Sequence, residues 1–368
     1  MRLGIDLRSL QSQPWSGIGY YTDQLTHFLA PANDLFFFLN QSSPVNLPSW
    51  YAEHGTIEQN YMPSKAFNMS TRVFARPYIH GTVRPDLLWL PSHNFTSWAK
   101  DIPAVLTIHD LSWLINPHWY NWRRRAWHYL LNFSRLLHKA SHLVAVSQST
   151  KRDLIDLLSV PDEKISVIHS GLEFDYQKKW APSKDAPDKY FVFVATWEPR
   201  KNIVSIVLAW QRLRRQRQTQ QSLVLIGVPG WGGLAKWLHQ QAVDSQGALQ
   251  LRTAVDEHTK YSLLANSSAL LWPSFYEGFG YPPLEALLLG RPVITSNGSS
   301  IGEIVGNHAI MINPYNINEL AAAMLLVEEN KVVGPSPAEI DKIASYFSWQ
   351  RAVDQYNELF SRLLHEQK

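Results

Sequence analysis

The chain has 368 residues, 45% hydrophobic and 18% charged, with a formal charge of +3 and no cysteine. That length predicts two domains, the apolar fraction excludes a disordered chain, and aperiodic Gly and Pro exclude a collagen-like one. The missing cysteines exclude disulfides, zinc thiolates, iron–sulfur clusters and thiol nucleophiles, and no Lys/Arg tract marks a nucleic-acid binder. The unusual item is aromatic: 15 each of Trp, Tyr and Phe. Three explanations fit such an excess: carbohydrate stacking, anchoring at a membrane interface, or heavily aromatic cores. Basic excess is confined to the first half, with 17 basic and 14 acidic residues up to position 180 and 17 of each after it.

The first run, Arg2–Leu7, reads as a strand and shows no features of a secretion signal. Ser16-Gly17-Ile18-Gly19-Tyr20-Tyr21 then precedes a helical stretch, Tyr20–Leu29. Paired glycines there suit close approach of a phosphate to a helix N-terminus, or an ordinary turn; the G-x-G-x-x-G fingerprint is not completed. Strands follow at Leu35–Leu39 and Leu87–Leu90, and Trp89, His93, Phe95 and Trp98 line either an acceptor groove or the core. Strand Ala104–Ile108 ends in His109-Asp110, where an imidazole binds a substrate hydroxyl, takes a proton, or bonds a backbone carbonyl structurally.

From Trp119 to Tyr129 aromatics and arginines alternate within a helical region, Trp122–Lys139. Two readings stand: an interfacial helix with Trp among lipid headgroups and Arg on anionic phosphates, or aromatics in the core with arginines in water. Strand His142–Val146 leads to Ser147-Gln148-Ser149, placed for substrate contact or for capping a helix near Thr150. After strand Ile165–Ile168, the polar stretch Tyr176–Lys189 reads as a linker. No run approaches the roughly 18 apolar residues of a membrane span. The triplets Asn94-Phe95-Thr96 and Asn297-Gly298-Ser299 read as chance matches to a glycosylation site.

The second half repeats the alternation, with strands at Tyr190–Ala195, Ser222–Ile226, Ala269–Trp272 and Pro292–Ile294 and helices near Ile203–Arg214, Thr259–Leu264 and Leu284–Leu289. Such alternation predicts an α/β protein with a helix-covered parallel sheet in each domain, ligands binding at the strands' carboxyl ends. Glu198-Pro199-Arg200-Lys201-Asn202 follows the first of these strands, and its adjacent cations suit a diphosphate. Gly227-Val228-Pro229-Gly230-Trp231-Gly232-Gly233 follows the next and reads as a nucleotide wrap or a mobile loop. The most informative stretch is Pro273-Ser274-Phe275-Tyr276-Glu277-Gly278-Phe279-Gly280-Tyr281-Pro282-Pro283-Leu284-Glu285-Ala286. A strand feeds a glycine-containing loop, two prolines open a helix, and acceptor-only carboxylates at Glu277 and Glu285 suit sugar and ribose hydroxyls.

Glu277 and Glu285 form the E-x7-E pattern of retaining glycosyltransferases, and the sequence around them resembles glycosyltransferase family 4. Family order extends along nearly the whole chain, through Gly17/Gly19, His109-Asp110, Val146-Ser147 and Glu198–Asn202. The resemblance implies a GT-B fold of two Rossmann-like domains facing across a cleft. It implies domains at 1–175 and 176–346, the last helix, about 347–368, joining the first. It assigns Arg200 and Lys201 to the donor diphosphate, Glu277 with the amides of Gly278, Phe279, Gly280 and Tyr281 to the transferred sugar, and Glu285 to the ribose. It further assigns His109 to the sugar or reacting centre, Gly17 and Gly19 to the diphosphate, and Val255-Asp256 to the region near the base. Tyr20, where many relatives carry arginine, and Ser170-Gly171, where Asn-Gly is common, depart from the pattern.

The expected activity is retaining transfer of a sugar, first mannose from GDP-mannose, onto a glycan or lipid-linked glycan in surface-polysaccharide or lipopolysaccharide assembly. Alternatives are a UDP-sugar donor, a phosphorylase or epimerase of related fold, and a non-catalytic nucleotide-sugar-binding module. The resemblance implies neither metal nor cofactor and no nucleic-acid partner. Expected partners are a nucleotide-diphosphate sugar and an oligosaccharide or lipid-linked acceptor, with an anionic membrane surface as a further one. The expected location is cytoplasmic, peripheral on the inner face of the cytoplasmic membrane if the Trp/Arg helix binds lipid.

Overall fold

The computed structural model describes residues 1–11, 15–40, 47–217, 219–231 and 233–366. In the first half the elements are β1 Arg2–Asp6, α1 Gly17–Leu29, β2 Asp34–Asn40, α2 Trp50–His54, β3 Gly55–Asn60, α3 Ser64–Phe74 and β4 Leu87–Leu90. They continue with β5 Ala104–Ile108, α4 Ser112–Ile115, α5 Trp122–Leu131, α6 Phe133–Lys139, β6 His142–Ala145, α7 Gln148–Leu158 and β7 Ile165–Val167. The second half runs β8 Tyr190–Val194, α8 Ile203–Arg217, β9 Ser222–Ile226, α9 Leu234–Asp244, β10 Leu249–Arg252, α10 Glu257–Ala265 and β11 Ala269–Trp272. It closes with α11 Tyr281–Leu288, β12 Val293–Ser296, α12 Ile301–Val305, β13 Ile310–Ile312, α13 Ile317–Glu328, α14 Pro337–Tyr346 and α15 Trp349–His365.

Two all-parallel sheets result, ordered β3-β2-β1-β4-β5-β6-β7 and β10-β9-β8-β11-β12-β13. Both have the doubly wound order in which the winding reverses beside the first strand, here between β1 and β4 and between β8 and β11. Central strands such as Tyr-Phe-Val-Phe-Val of β8 and Ala-Leu-Leu-Trp of β11 are buried throughout, because helices cover both faces. Leu270 illustrates the register, paired with Val192 on one side and Val293 on the other. The expected α/β class and its two Rossmann-like sheets are therefore present.

Two compact units are distinguished by their internal contacts. Unit 1 comprises Met1–Leu111, Trp122–Gly171 and the chain from Phe347 onward; unit 2 comprises Leu172–Tyr346 together with Ser112–Asn121. In unit 1, α15 turns Trp349, Val353, Tyr356 and Phe360 inward and is capped by the Ser348 hydroxyl. The Tyr356 hydroxyl lies 2.6 Å from that of Tyr21 on α1 and 2.8 Å from Thr107 Oγ1 on β5. Gly171 is required by this helix, since a Cβ there would come within 2.4 Å of the Trp349 nitrogen.

Three expectations are corrected by the fold. The sequence between Trp119 and Lys139 is not one helix: Trp119 and Tyr120 belong to unit 2, where Trp119 stacks on Phe275 and its carbonyl accepts the Trp231 indole N–H at 2.6 Å. A break at Asn132, in the left-handed region at φ +52, then separates α5 from α6. The stretch Tyr176–Lys189 is no loose linker, for the Trp180 and Ala181 carbonyls accept bonds from Asn266 and Ser262 of unit 2, and Trp180 packs on Tyr261. Finally β3, β10 and β13 are strands absent from the sequence reading, and each lies at a sheet edge.

Candidate functional site

The loops after β8 and β11 lie side by side where the winding of the second sheet reverses, the ligand position of doubly wound sheets. They are stitched together by backbone and amide bonds. Phe275 donates to the Arg200 carbonyl at 3.0 Å, and Asn202 Nδ2 donates to the carbonyls of Pro273 and Pro314 at 3.0 and 2.7 Å. Asn202 holds a left-handed φ of +56, ending the short turn Pro199–Lys201 and turning the chain into α8.

This stitching brings Arg200, Lys201 and Glu277 into one buried cluster. Lys201 Nζ donates to Glu277 Oε1 and Oε2 at 2.7 and 3.0 Å, and it lies 4.6 Å from the centre of the Trp272 ring. Arg200 Nη1 donates to Glu277 Oε2 at 2.9 Å and to the Tyr276 carbonyl at 2.7 Å, while Nη2 reaches Glu198 Oε1 at 2.8 Å. Burial alone would raise the Glu277 carboxyl, but Arg200 and Lys201 outweigh it and hold the carboxyl below the usual range. Burial and the neighbouring Arg200 push the Lys201 ammonium down, against the pull of Glu277 and Glu198. Two cations thus face two carboxylates in a site mostly withdrawn from water.

The loop carrying Glu277 is fixed from below by two serines. Glu277 donates its N–H to Ser299 Oγ at 2.9 Å, and the Ser300 hydroxyl donates to the carbonyls of Glu277 and Phe279 at 2.9 and 3.0 Å. Gly278 and Phe279 lead to Gly280, whose φ of +112 and close approach to Ile301 exclude a side chain. Tyr281 starts α11, with Pro282 and Pro283 in its first turn, where a missing N–H costs nothing. Glu285 is buried on that helix, and its Oε1 accepts Lys260 Nζ at 2.8 Å and the Tyr261 hydroxyl at 3.4 Å.

Other expected site residues stand apart from the cluster. Asp256 caps α10 by accepting the Thr259 N–H at 2.6 Å, and the hydrogen bonds from Thr259 lower its carboxyl pKa; Val255 precedes it on the same turn. The glycine loop after β9 is not free at Gly227 and Gly230: the backbone bridges to Trp197, and Cβ atoms there would fall 1.8 Å from the Ala195 oxygen and 2.4 Å from that of Trp197; Gly232 lies outside the described residues.

Gly17, Gly19 and His109 belong to unit 1. Gly17 is exposed in the first turn of α1, while Gly19 packs tightly, its would-be Cβ 2.9 Å from that of Trp15. His109 Nε2 lies 2.7 Å from the Pro91 carbonyl, which only accepts, so Nε2 carries the proton and Nδ1 is the acceptor. Burial holds this imidazole below its ordinary pKa, and its edge meets the Tyr21 ring at 4.8 Å. Ser147 caps α7 through the Thr150 N–H, the structural one of its two readings. Trp89 and Trp98 are buried in the core of unit 1, while Phe95, also buried, borders a recess between α3 and α6.

The sequence reading named Glu198 in its motif without giving it a role, here orienting Arg200, and missed the pair Ser299–Ser300. The only cue to the serines was Asn297-Gly298-Ser299, read as a chance triplet. It also missed Lys260, the partner of Glu285, since a lysine on a polar helix gives no signal until the fold places it beside a buried carboxylate.

Residues 15–176 match the family model described as Glycosyltransferase Family 4, and residues 175–345 match Glycosyl transferases group 1. Escherichia coli O-antigen chain mannosyltransferase B is 28% identical over 262 residues, 68% of each chain. The E. coli serotype-specific mannosyltransferase WbdA is 27% identical over 320 residues, 80% of this chain but only 39% of that longer protein. In fold the chain resembles Anabaena HepE, solved in complex with UDP-glucose, with a TM-score of 0.70, 17% identity and coverage of 98% and 100% of the two chains. The chain therefore belongs to glycosyltransferase family 4: it is a retaining GT-B enzyme that transfers a sugar from a nucleotide-sugar donor to a glycan acceptor.

Proposed function

We propose that the enzyme transfers mannose from GDP-mannose to a lipid-linked glycan, and that the buried Arg200–Lys201–Glu277 cluster is its donor site. The observation that carries the site is the pair of adjacent cations held beside Glu277 where the sheet reverses, at the start of α11. The sugar–phosphate bond is already activated, so the work left to the protein is positioning and stabilising the departing charge. Arg200 and Lys201 take the diphosphate, Glu277 and the loop amides to Tyr281 take the sugar hydroxyls, and Glu285 takes the ribose through Oε2, opposite the oxygen that Lys260 occupies. Gly17 gives the donor close access to backbone, and Val255-Asp256 lies toward the base. Nδ1 of His109 accepts a hydrogen bond from a substrate hydroxyl without taking its proton. Glu277 is a poor covalent nucleophile, because both oxygens already accept bonds from cations. Attack from the leaving-group face, with the departing phosphate taking the acceptor's proton, retains configuration.

Mannose is favoured by the two mannosyltransferases to which the sequence is similar. A UDP-sugar is the second reading, favoured by the likeness in fold to a protein solved with UDP-glucose. A lipid-linked acceptor and an anionic membrane surface suit α5, where Trp122, Arg123, Arg124, Arg125 and Tyr129 are all exposed. Among the described residues no helix is long and apolar enough to cross a membrane, so contact with lipid in this reading is peripheral. Thermal stabilisation against GDP-mannose, GDP, UDP-glucose and UDP tests the donor. Stabilisation by GDP-mannose together with mannose transfer to a lipid-linked oligosaccharide supports the proposal. Stabilisation and turnover with UDP-sugars alone refute the mannose assignment.

A further inference from the structure

Unit 1 holds a second cluster of cations, beside the segment that follows β4. A recess of about 50 Å³ lies between α3, α6 and the segment 94–97. One water needs about 10–15 Å³, so the recess takes a few waters or a group the size of a phosphate. Its lining includes Arg72, Arg135 and Lys139 and contains no carboxylate. None of these three has an ion-pair partner among the described residues, in contrast to Arg200 and Lys201. Thr96 also lines the recess, and its hydroxyl oxygen is buried without a hydrogen-bond partner. Lys139 is held by the Trp98 carbonyl at 2.7 Å and by the Trp98 ring face at 4.0 Å, so its ammonium is fixed in place. Burial, with Arg135 and Lys100 nearby, lowers its pKa to about 8, a strain that a bound anion relieves.

The surroundings say where such an anion comes from. The exposed side of α3 carries Met69, Val73 and Phe74, which are 59, 60 and 72% exposed, and α5 carries Tyr129 at 83% and Leu130 at 44%. The two helices are joined by Arg72, whose guanidinium donates to the Leu130 carbonyl. A free phosphate gains nothing from apolar side chains exposed on α3 and α5. A lipid headgroup does, because the same residues enter the acyl boundary while the cations take the phosphate.

We propose that the recess formed by Arg72, Arg135, Lys139 and Thr96 binds the phosphate of an anionic membrane lipid, with the exposed apolar residues of α3 and α5 seated in the bilayer. This inference rests on the lipid-facing reading of α5 given above and adds to it a defined phosphate site on a different helix. Flotation with phosphatidylcholine vesicles, with and without phosphatidic acid, tests both together. Wild type is expected to float only with phosphatidic acid. Arg72→Gln and Arg135→Gln are each expected to weaken that binding about fivefold, the effect of one cation at an anionic surface. Phe74→Asp is expected to abolish it, and all three should keep donor hydrolysis and thermal stability. If the glutamine variants bind like wild type while Arg123→Gln does not, the phosphate site is wrong and the α5 reading stands. If wild type binds no vesicles, both fail. If inorganic phosphate at millimolar concentration protects thermally in wild type but not in Arg135→Gln and displaces no lipid, the recess is a free-phosphate site and the lipid assignment falls.

Discussion

Replacing Lys201 by alanine tests how the donor site works. The side chain gives Glu277 two charge-assisted bonds, at 2.7 and 3.0 Å, inside a buried cluster. At an effective dielectric of about 20 such a pair is worth roughly 5 kcal/mol before desolvation is subtracted, and desolvation offsets most of it. Lys201→Ala leaves Glu277 still bonded to Arg200, so the fold should lose only about 2 kcal/mol. Glu277→Ala leaves an ammonium buried without its carboxylate, while Arg200 keeps Glu198, and should cost about 3–5 kcal/mol. Removing both together should cost about 1–3 kcal/mol less than the sum, since the two groups share one interaction.

Activity should rank differently from stability. Loss of one fixed group aimed at developing charge costs about 100- to 1000-fold in kcat, or roughly 3–4 kcal/mol of barrier. Lys201→Ala should therefore fall by that factor in kcat while its Tm drops only a few degrees. Steady-state transfer with GDP-mannose, read beside urea unfolding of the two single variants and the double, measures every quantity. A Lys201→Ala enzyme turning over within about threefold of wild type, or strict additivity of the two stability losses, refutes the cluster as the centre of donor binding.

Glu285→Gln keeps the bond from Lys260 in geometry but removes the charge, and it should raise KM for the donor several-fold with little change in kcat, as expected of a group that holds ribose remote from the reacting bond. Gly280→Ala should destabilise by about 1–3 kcal/mol, because the φ of +112 and the 2.8 Å approach to Ile301 both resist a side chain; a thermal melt unchanged from wild type contradicts the loop geometry. Acid should weaken unit 1. His142 is held neutral to about pH 4, by burial first and then by Arg362, whereas an unfolded histidine takes its proton near 6.5. The stability this supplies is complete above about pH 6.5 and is lost as pH falls toward 4, on the order of a few kcal/mol. A His142→Asn variant should show a shallower decline of Tm over that range.

Legibility in the sequence followed burial. Central strands such as Ala104–Ile108 and Ala269–Trp272 are covered on both faces, so their apolar runs are continuous and mark themselves at their observed limits. Gly-Thr-Ile-Glu-Gln-Asn of β3 and Leu-Gln-Leu-Arg of β10 lie at sheet edges, pair on one side only, and read as polar chain until the neighbouring strand is known. The aromatic excess divided in the same way. Trp89, Trp98, Trp197, Trp210, Trp272 and Trp349 are all core, whereas Trp122 and Tyr129 stand in solvent on the helix that also carries the arginines. Composition alone offered three explanations; the core accounts for the six tryptophans named, while Trp122 and Tyr129 are left exposed. The partners of the site residues were the least legible, since Glu198, Lys260 and Ser299 acquire meaning only from a distance in space.

The spacing of the two glutamates has a physical reason in this fold. Glu277 must sit before the glycines to reach Arg200 and Lys201 at the reversal of the sheet, while Glu285 must sit inside α11 to reach Lys260 on α10. Between them the chain needs a left-handed residue, supplied by Gly280, and a first helical turn without N–H donors to spare, supplied by the prolines. A shorter interval leaves Glu285 on the first turn, short of Lys260, and a change of one residue rotates it about 100° around the helix. Inserting one alanine after Pro283 therefore separates two claims. If both carboxylates serve one donor molecule, transfer collapses although Glu277, Arg200 and Lys201 remain in place; if Glu285 only anchors α11 to α10, turnover per folded molecule persists and stability alone declines.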